Sequence, residues 1–260
     1  MTFKTHMSIL VLLLVSLFTS SVLACSTAAW NPGASGAVST NNPVNGVPRV
    51  AGECGFKVTG SGYVQDNSPV DESQFIGRFY FLPKFNGTGT ANIFVAYSNE
   101  ASTVLFTVRY DGTDIILNAT AAGGTSVKFP ANNDNWNLIE FSWKSGASGS
   151  LWVNADATKD SASRTFTSGT GAVNSVRLGA PNGFGGLTGM AFFDDYESHR
   201  TQAVGPLLAG DSNLDGVVND DDLVGIVEEF LSDTYPGGVT DCNLDAEINS
   251  GDVNCAVAIF

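Results

Sequence analysis

From Gly46 to Arg200 short apolar runs alternate with clusters of Gly, Asn and Asp, as in "QFIGRFYFLPKF", "TVLFTVRYDG", "NLIEFSWKS" and "SLWVNADA". A period of two places every second side chain on one face, so Ile139, Phe141 and Trp143 are predicted to share a buried face. Eight or more such runs, with no amphipathic helix between them, predict a mainly β, antiparallel two-sheet jelly-roll sandwich over residues 46–200. The pattern fails on both sides of that block. Residues 25–45 are rich in Ser, Ala, Asn, Gly and Pro without a period and read as a leader or linker. Residues 201–209, with Pro206 and glycines, read as a second linker. After it, "DDLVGIVEEFLSD" places Leu223, Val224, Ile226, Val227, Phe230 and Leu231 at helical spacing, and a shorter apolar segment ends the chain.

Charge sharpens the boundary near residue 200. The net charge is −14, and residues 201–260 hold twelve Asp and Glu with no Lys, Arg or His, so −12 of the −14 falls there. Nucleic acid is excluded as a partner, because binding a phosphate backbone needs clustered Lys and Arg. At the other end, Lys4, the apolar run Ile9 to Phe18 and "SVLA" form a signal peptide over residues 1–24, so the mature protein is expected to be secreted. No later run approaches the length of a transmembrane segment. The "VLAC" ending at Cys25 is similar to a bacterial lipobox, which leaves an outer-surface lipoprotein as the alternative. Export places the four cysteines in an oxidising compartment, and the pairs Cys25 with Cys54 and Cys242 with Cys255, each within one composition block, are expected.

The acidic C-terminal block is ordered. Asp211, Asn213, Asp215, Val217, Asn219 and Asp222 occupy positions 1, 3, 5, 7, 9 and 12 of a twelve-residue loop, with Gly216 at position 6. Thirty residues later Asp241, Asn243, Asp245, Glu247, Asn249 and Asp252 repeat the spacing, with Ala246 at position 6. Calcium takes six to eight oxygens, and position 7 gives only its carbonyl, so alternating short Asp and Asn side chains suit it. Two calcium ions are therefore expected. Ala246 should strain the second loop, since position 6 turns sharply.

A loop followed by a helix, twice, without an entering helix and with Asp at position 12, resembles the type I dockerin module. The resemblance covers residues 210–260. It implies an EF-hand-type helical module that docks to a cohesin-like partner, with Asp220, Asp221, Ser250 and Gly251 at the loop positions that meet it. In the preceding block, "DNWNLIEFSWKSGASGSLWVNADA" and "VRLGAPNGFGGLTGMAFFDDYESHR" resemble laminin-G-like, or concanavalin A-like, domains. That resemblance implies a glycan or extracellular protein ligand, and Trp136 is the candidate for stacking on a sugar.

Catalysis has thin support. Glucanases of this fold carry an E-x-D-x-x-E strand, and the nearest match is Asp195 with Glu197, where Phe193 and Arg200 stand in place of the missing acids. The expected function is a secreted, calcium-binding, non-catalytic adhesion protein. A polysaccharide-degrading glycoside hydrolase or an auxiliary subunit of a degradative complex is the alternative, and a structural matrix component a third class.

Overall fold

A computed structural model describes residues 27, 30–41, 47–99, 102–133, 135–154, 163–232 and 235–259. The segment expected to be a signal peptide and Cys25 lie outside the described residues. Twelve strands form the body: β1 (Pro32–Asn41), β2 (Gly55–Asp66), β3 (Gln74–Asn86), β4 (Ala91–Ser98), β5 (Thr103–Tyr110), β6 (Asp114–Asn118), β7 (Ser126–Pro130), β8 (Asn137–Lys144), β9 (Ser148–Asn154), β10 (Arg164–Thr167), β11 (Ser175–Ala180) and β12 (Thr188–His199). The predicted antiparallel sandwich is present, and it is one continuous hydrogen-bonded sheet in the order β10-β9-β8-β3-β12-β2-β11-β4-β5-β6-β7.

Strand β2 is the corner. Its first half pairs with β12 through Phe56, Lys57 and Val58, and its second half pairs with β11 through Gly62 to Asp66. The sheet curls until its end strands meet: Thr125 N–H donates to the Thr167 carbonyl at 2.9 Å, and Arg164 donates to the carbonyl of Lys128. Closure of this kind covers the edges that an open sheet would expose. Between the layers lies a core rich in Phe, with Phe79, Phe81, Phe94, Phe106, Phe141 and Phe193 fully buried. Ile139, Phe141 and Trp143 all face it as the alternation predicts, and the Trp143 indole N–H donates to the Ser168 carbonyl at 2.9 Å.

Two stretches assigned to linkers are structured parts of the body. Pro32–Asn41 forms β1, paired antiparallel with β2 from Pro32↔Asp66 to Asn41↔Gly55. Its side chains stay mostly exposed, so no apolar period marked it, and its order comes from backbone pairing. Residues 201–209 lie against the outside of β3 and β8. Arg78 donates to the Gly205 carbonyl at 3.0 Å, Gly205 N–H donates to Glu140 at 2.6 Å, and Leu207 N–H donates to the Tyr80 hydroxyl at 3.0 Å.

The C-terminal module holds α1 (Asp220–Ser232) and α2 (Ser250–Val257). Helix α1 turns Asp222, Ile226 and Glu229 inward and leaves Val224, Phe230 and Leu231 exposed, so only part of the predicted apolar stripe is buried. Among the described residues no helix is long and apolar enough to cross a membrane.

Candidate functional site: paired acidic loops docked on the sandwich

The two acidic loops are built alike, position for position. In the first, Asp211 accepts the backbone N–H of Asp215 on one carboxylate oxygen and that of Gly216 on the other. In the second, Asp241 accepts from Asp245 and Ala246 in the same way. Asn213 and Asn243 each accept the N–H two residues on, as do Asp215 and Asp245. Position 12 closes each loop: Asp222 accepts from Asn213 and Asn219, and Asp252 accepts from Asn243 and Asn249. Asn249 also caps α2 in a reciprocal capping box with Asp252. Thirty residues apart, the same side chains fold the same turn.

The backbone supports the count. Leu214 and Leu244 at position 4 have φ of 60° and 57°, Gly216 at position 6 has 87° and Ala246 has 72°. Ala246 therefore sits in the left-handed region that costs a residue with a Cβ on the order of 1 kcal/mol. Cys242 and Cys255 are bonded, with Cα atoms 5.9 Å apart, and tie the second loop to α2. Cys54 is also disulfide-bonded, and its predicted partner Cys25 lies outside the described residues.

The electrostatics leave a deficit of positive charge. Asp211, Asp222, Asp241 and Asp252 are buried, and residues 201–260 supply no cationic side chain. Burial, and then the charge of Asp252, push the Asp241 carboxyl well above the usual carboxylate range. A hard divalent cation would remove that repulsion, so the donor chemistry fits calcium. Among the described residues no three His, Cys, Asp or Glu side chains are gathered into a metal cluster on their own. The three aspartates of each loop are of those types and are not so gathered; two Asn amides and one carbonyl complete each loop's donor set.

The module rests on the sandwich, which decides the fate of Trp136. A second core joins Val47, Val50, Tyr80, Leu82, Trp136, Leu138 and Phe192 of the body to Val239 and Leu244 of the module, with Leu207 and Ala246 packed against it. Trp136 is fully buried there and its backbone N–H donates to the Leu244 carbonyl at 2.9 Å, while its indole N–H is buried without a hydrogen-bond partner. Its ring is therefore not available to stack on a sugar, contrary to the expectation from sequence. Trp152 packs against the same cluster. Beside it Arg49 and Glu229, both buried, form an ion pair at 2.5 Å, and Thr240 donates to the same Glu229 oxygen at 2.5 Å.

Of the predicted partner-contact positions, Asp220, Asp221 and Ser250 are exposed and Gly251 is half-buried. The module also carries most exposed large apolar side chains. Among the described residues all but Val70 lie between Leu208 and Ile259.

Asp195 and Glu197 are not free for acid chemistry. A bulge in β12 between Asp194 and Glu197 puts Asp195 at φ 48°, and both carboxylates converge on the buried Arg78, at 2.5 Å and 3.1 Å. The nearby Arg200 and Arg177 are engaged elsewhere: Arg200 pairs with Glu72 at 3.0 Å, and Arg177 bonds Gln65 at 2.7 Å. Sequence reasoning missed Asp194. Its carboxylate accepts the N–H groups of Val50 and Ala51 at 2.6 Å and 3.0 Å, and burial pushes it up to about 7. It borders a cavity of about 210 Å³ lined also by Trp30, Phe56, Phe193 and Tyr196.

No protein-family model and no curated protein matches the chain. Among solved structures it is similar to a cellulose induced protein, Cip1, at 14% identity and a TM-score of 0.45, over 69% of this chain and 92% of that one. It is also similar to the binding domain of botulinum neurotoxin serotype G, at 13% identity and a TM-score of 0.40, over 65% of this chain and 43% of that one. The serotype D binding domain gives 10% identity and a TM-score of 0.43, over 64% of this chain and 43% of that one. The chain thus spans under half of the toxin chains, and its fold stands on its own strand topology.

Proposed function

We propose that this is a secreted, calcium-stabilised binding protein without catalytic activity. Its sandwich takes a glycan or extracellular protein, and its C-terminal module presents a face to a docking partner. The observation that carries the reading is the position-for-position repetition of the two acidic loops around four buried carboxylates in a module with no cation of its own. Two calcium ions would be held by Asp211, Asn213, Asp215, Val217, Asn219 and Asp222, and by Asp241, Asn243, Asp245, Glu247, Asn249 and Asp252. Bound calcium supplies the positive charge that lets these carboxylates stay ionised while buried.

The partner side is supported by the exposed apolar residues Val224, Phe230 and Leu231 next to exposed Asp220 and Asp221. Docking of the second loop on the sandwich makes the two halves of the module unequal, and a cohesin-like partner would meet the first loop and α1. Engagement of both Asp195 and Glu197 by Arg78 supports a binding role over hydrolysis. Asp195→Asn and Glu197→Gln are expected to leave glycan binding unchanged and to reveal no reducing-sugar release for either variant to abolish. Release by the wild-type chain that either substitution removes would establish the hydrolase instead.

A further inference from the structure

The face of the β2-β11-β4-β5 layer turned away from the core carries two half-buried arginines, Arg109 and Arg177, that form no ion pair among the described residues. Val64, Val176, Leu178, Phe94 and Val108 point into the core, so their neighbours Gln65, Arg177, Val95 and Thr107 line the opposite face in register, with Arg109 two residues beyond Thr107. The Arg177 guanidinium lies over the Tyr63 ring at 4.2 Å and the Tyr97 ring at 5.0 Å. Its Nε donates to Gln65 Oε1 at 2.7 Å and one terminal nitrogen donates to the Tyr97 hydroxyl at 3.4 Å. Gln65 is itself held by Asn67 at 2.8 Å.

A guanidinium has five N–H donors, so three of those on Arg177 remain unused. Two rings and an amide fix its plane, which removes much of the entropy that a flexible arginine loses on binding. Arg109 is more extreme: its buried Nε has no hydrogen-bond partner, and among the described residues it forms no ion pair. The two fully buried arginines each pair with acids, Arg49 with Glu229 and Arg78 with Asp195 and Glu197. In a chain of net charge −14, this face thus carries two positive charges that no acidic side chain of the described residues pairs.

We propose that this face binds an acidic glycan through its uronate carboxylates, with Arg177 as the fixed fork and Arg109 as the second contact. Strand spacing and rise put the two Cα positions about 12 Å apart, within the span of an extended oligosaccharide. Thr107, level with Arg177 and on the strand of Arg109, offers a hydroxyl to the sugar between. The proposal deepens the glycan reading above by naming the sugar class and the face.

The test is titration calorimetry of the full mature chain with a galacturonate hexamer, with cellohexaose as the neutral glycan and hexaglutamate as the acidic peptide. Short uronates avoid gelling by calcium. Binding of the uronate alone is expected, weakened at least tenfold by Arg177→Ala and by Arg177→Lys, which keeps the charge and loses the fork. Arg109→Ala should weaken it severalfold and lower the salt dependence. Unchanged thermal unfolding of the three variants establishes that each is folded. Equal binding of hexaglutamate, or uronate binding indifferent to Arg177, overturns the proposal. Binding of cellohexaose only overturns it while sparing the broader glycan reading, and binding of none of the three, with retained thermal stability, overturns both the proposal and the glycan arm of that reading.

Discussion

Among the described residues the sandwich encloses thirty buried apolar side chains in its main core, whereas the C-terminal module's own core holds four: Val218, Ile226, Cys242 and Ala256. In place of more apolar groups the module buries Asp211, Asp222, Asp241, Asp252 and Glu229. Burial of apolar area at about 25 cal/mol per Å² is ample for the first region and far short for the second. The module therefore depends on supports that the sandwich does not need: the Cys242–Cys255 bond, a berth formed by Trp136 and Arg49 and, in the function proposed above, an ion in each loop. The difference shows how a small acidic unit can be ordered by its neighbours.

Removal of calcium should have the largest effect on this contrast. A chelator is expected to unfold residues 210–260 and leave the sandwich transition in place, as read by proteolysis followed by mass spectrometry. Survival of the module in chelator would erase the distinction. Trp136→Ala should follow, with about 3–5 kcal/mol lost from the berth in denaturant unfolding. Arg49→Ala strands the buried Glu229 and should cost about 3 kcal/mol in the same measurement. If either change instead lowered only the sandwich transition, the module would be independent of its berth.

Among the acids of the sandwich, Asp194 gives a pH test that can be run with the loops held constant by saturating calcium. Asp194 has its carboxyl pushed up from 3.8 to about 7 by burial, so the fold favours its protonated form. Its stabilising contribution is complete below about pH 4 and is lost as pH rises through about 7. With calcium saturating, the sandwich Tm should fall between pH 5 and 8, and Asp194→Asn should reduce that slope. Asp195, also raised by burial, leaves part of it. The smallest change expected is Ala246→Gly, which relieves the left-handed strain at φ 72° and should stabilise the module by about 1 kcal/mol in thermal unfolding.

What the sequence could reveal followed from local pattern. The alternation of Ile139, Phe141 and Trp143 and the spacing from Asp211 to Asp222 are properties of neighbouring residues, and the structure places those side chains accordingly. Strand β1 was hidden because an edge strand with exposed side chains needs no apolar period. The berth was hidden for another reason. Arg49 meets Glu229, and Arg78 meets Asp195, only through tertiary register, which no spacing encodes. Trp136 looked equally suited to a sugar and to a core, and it became core because Leu244 arrives from the other end of the chain.

Calcium titration calorimetry of the full mature chain, first stripped by chelator, tests the central claim most directly. The account predicts two ions per chain, with binding reduced to one ion when Asp211 and Asp222 are both changed to Asn. Absence of calcium binding by a chain whose sandwich is demonstrably folded would contradict it.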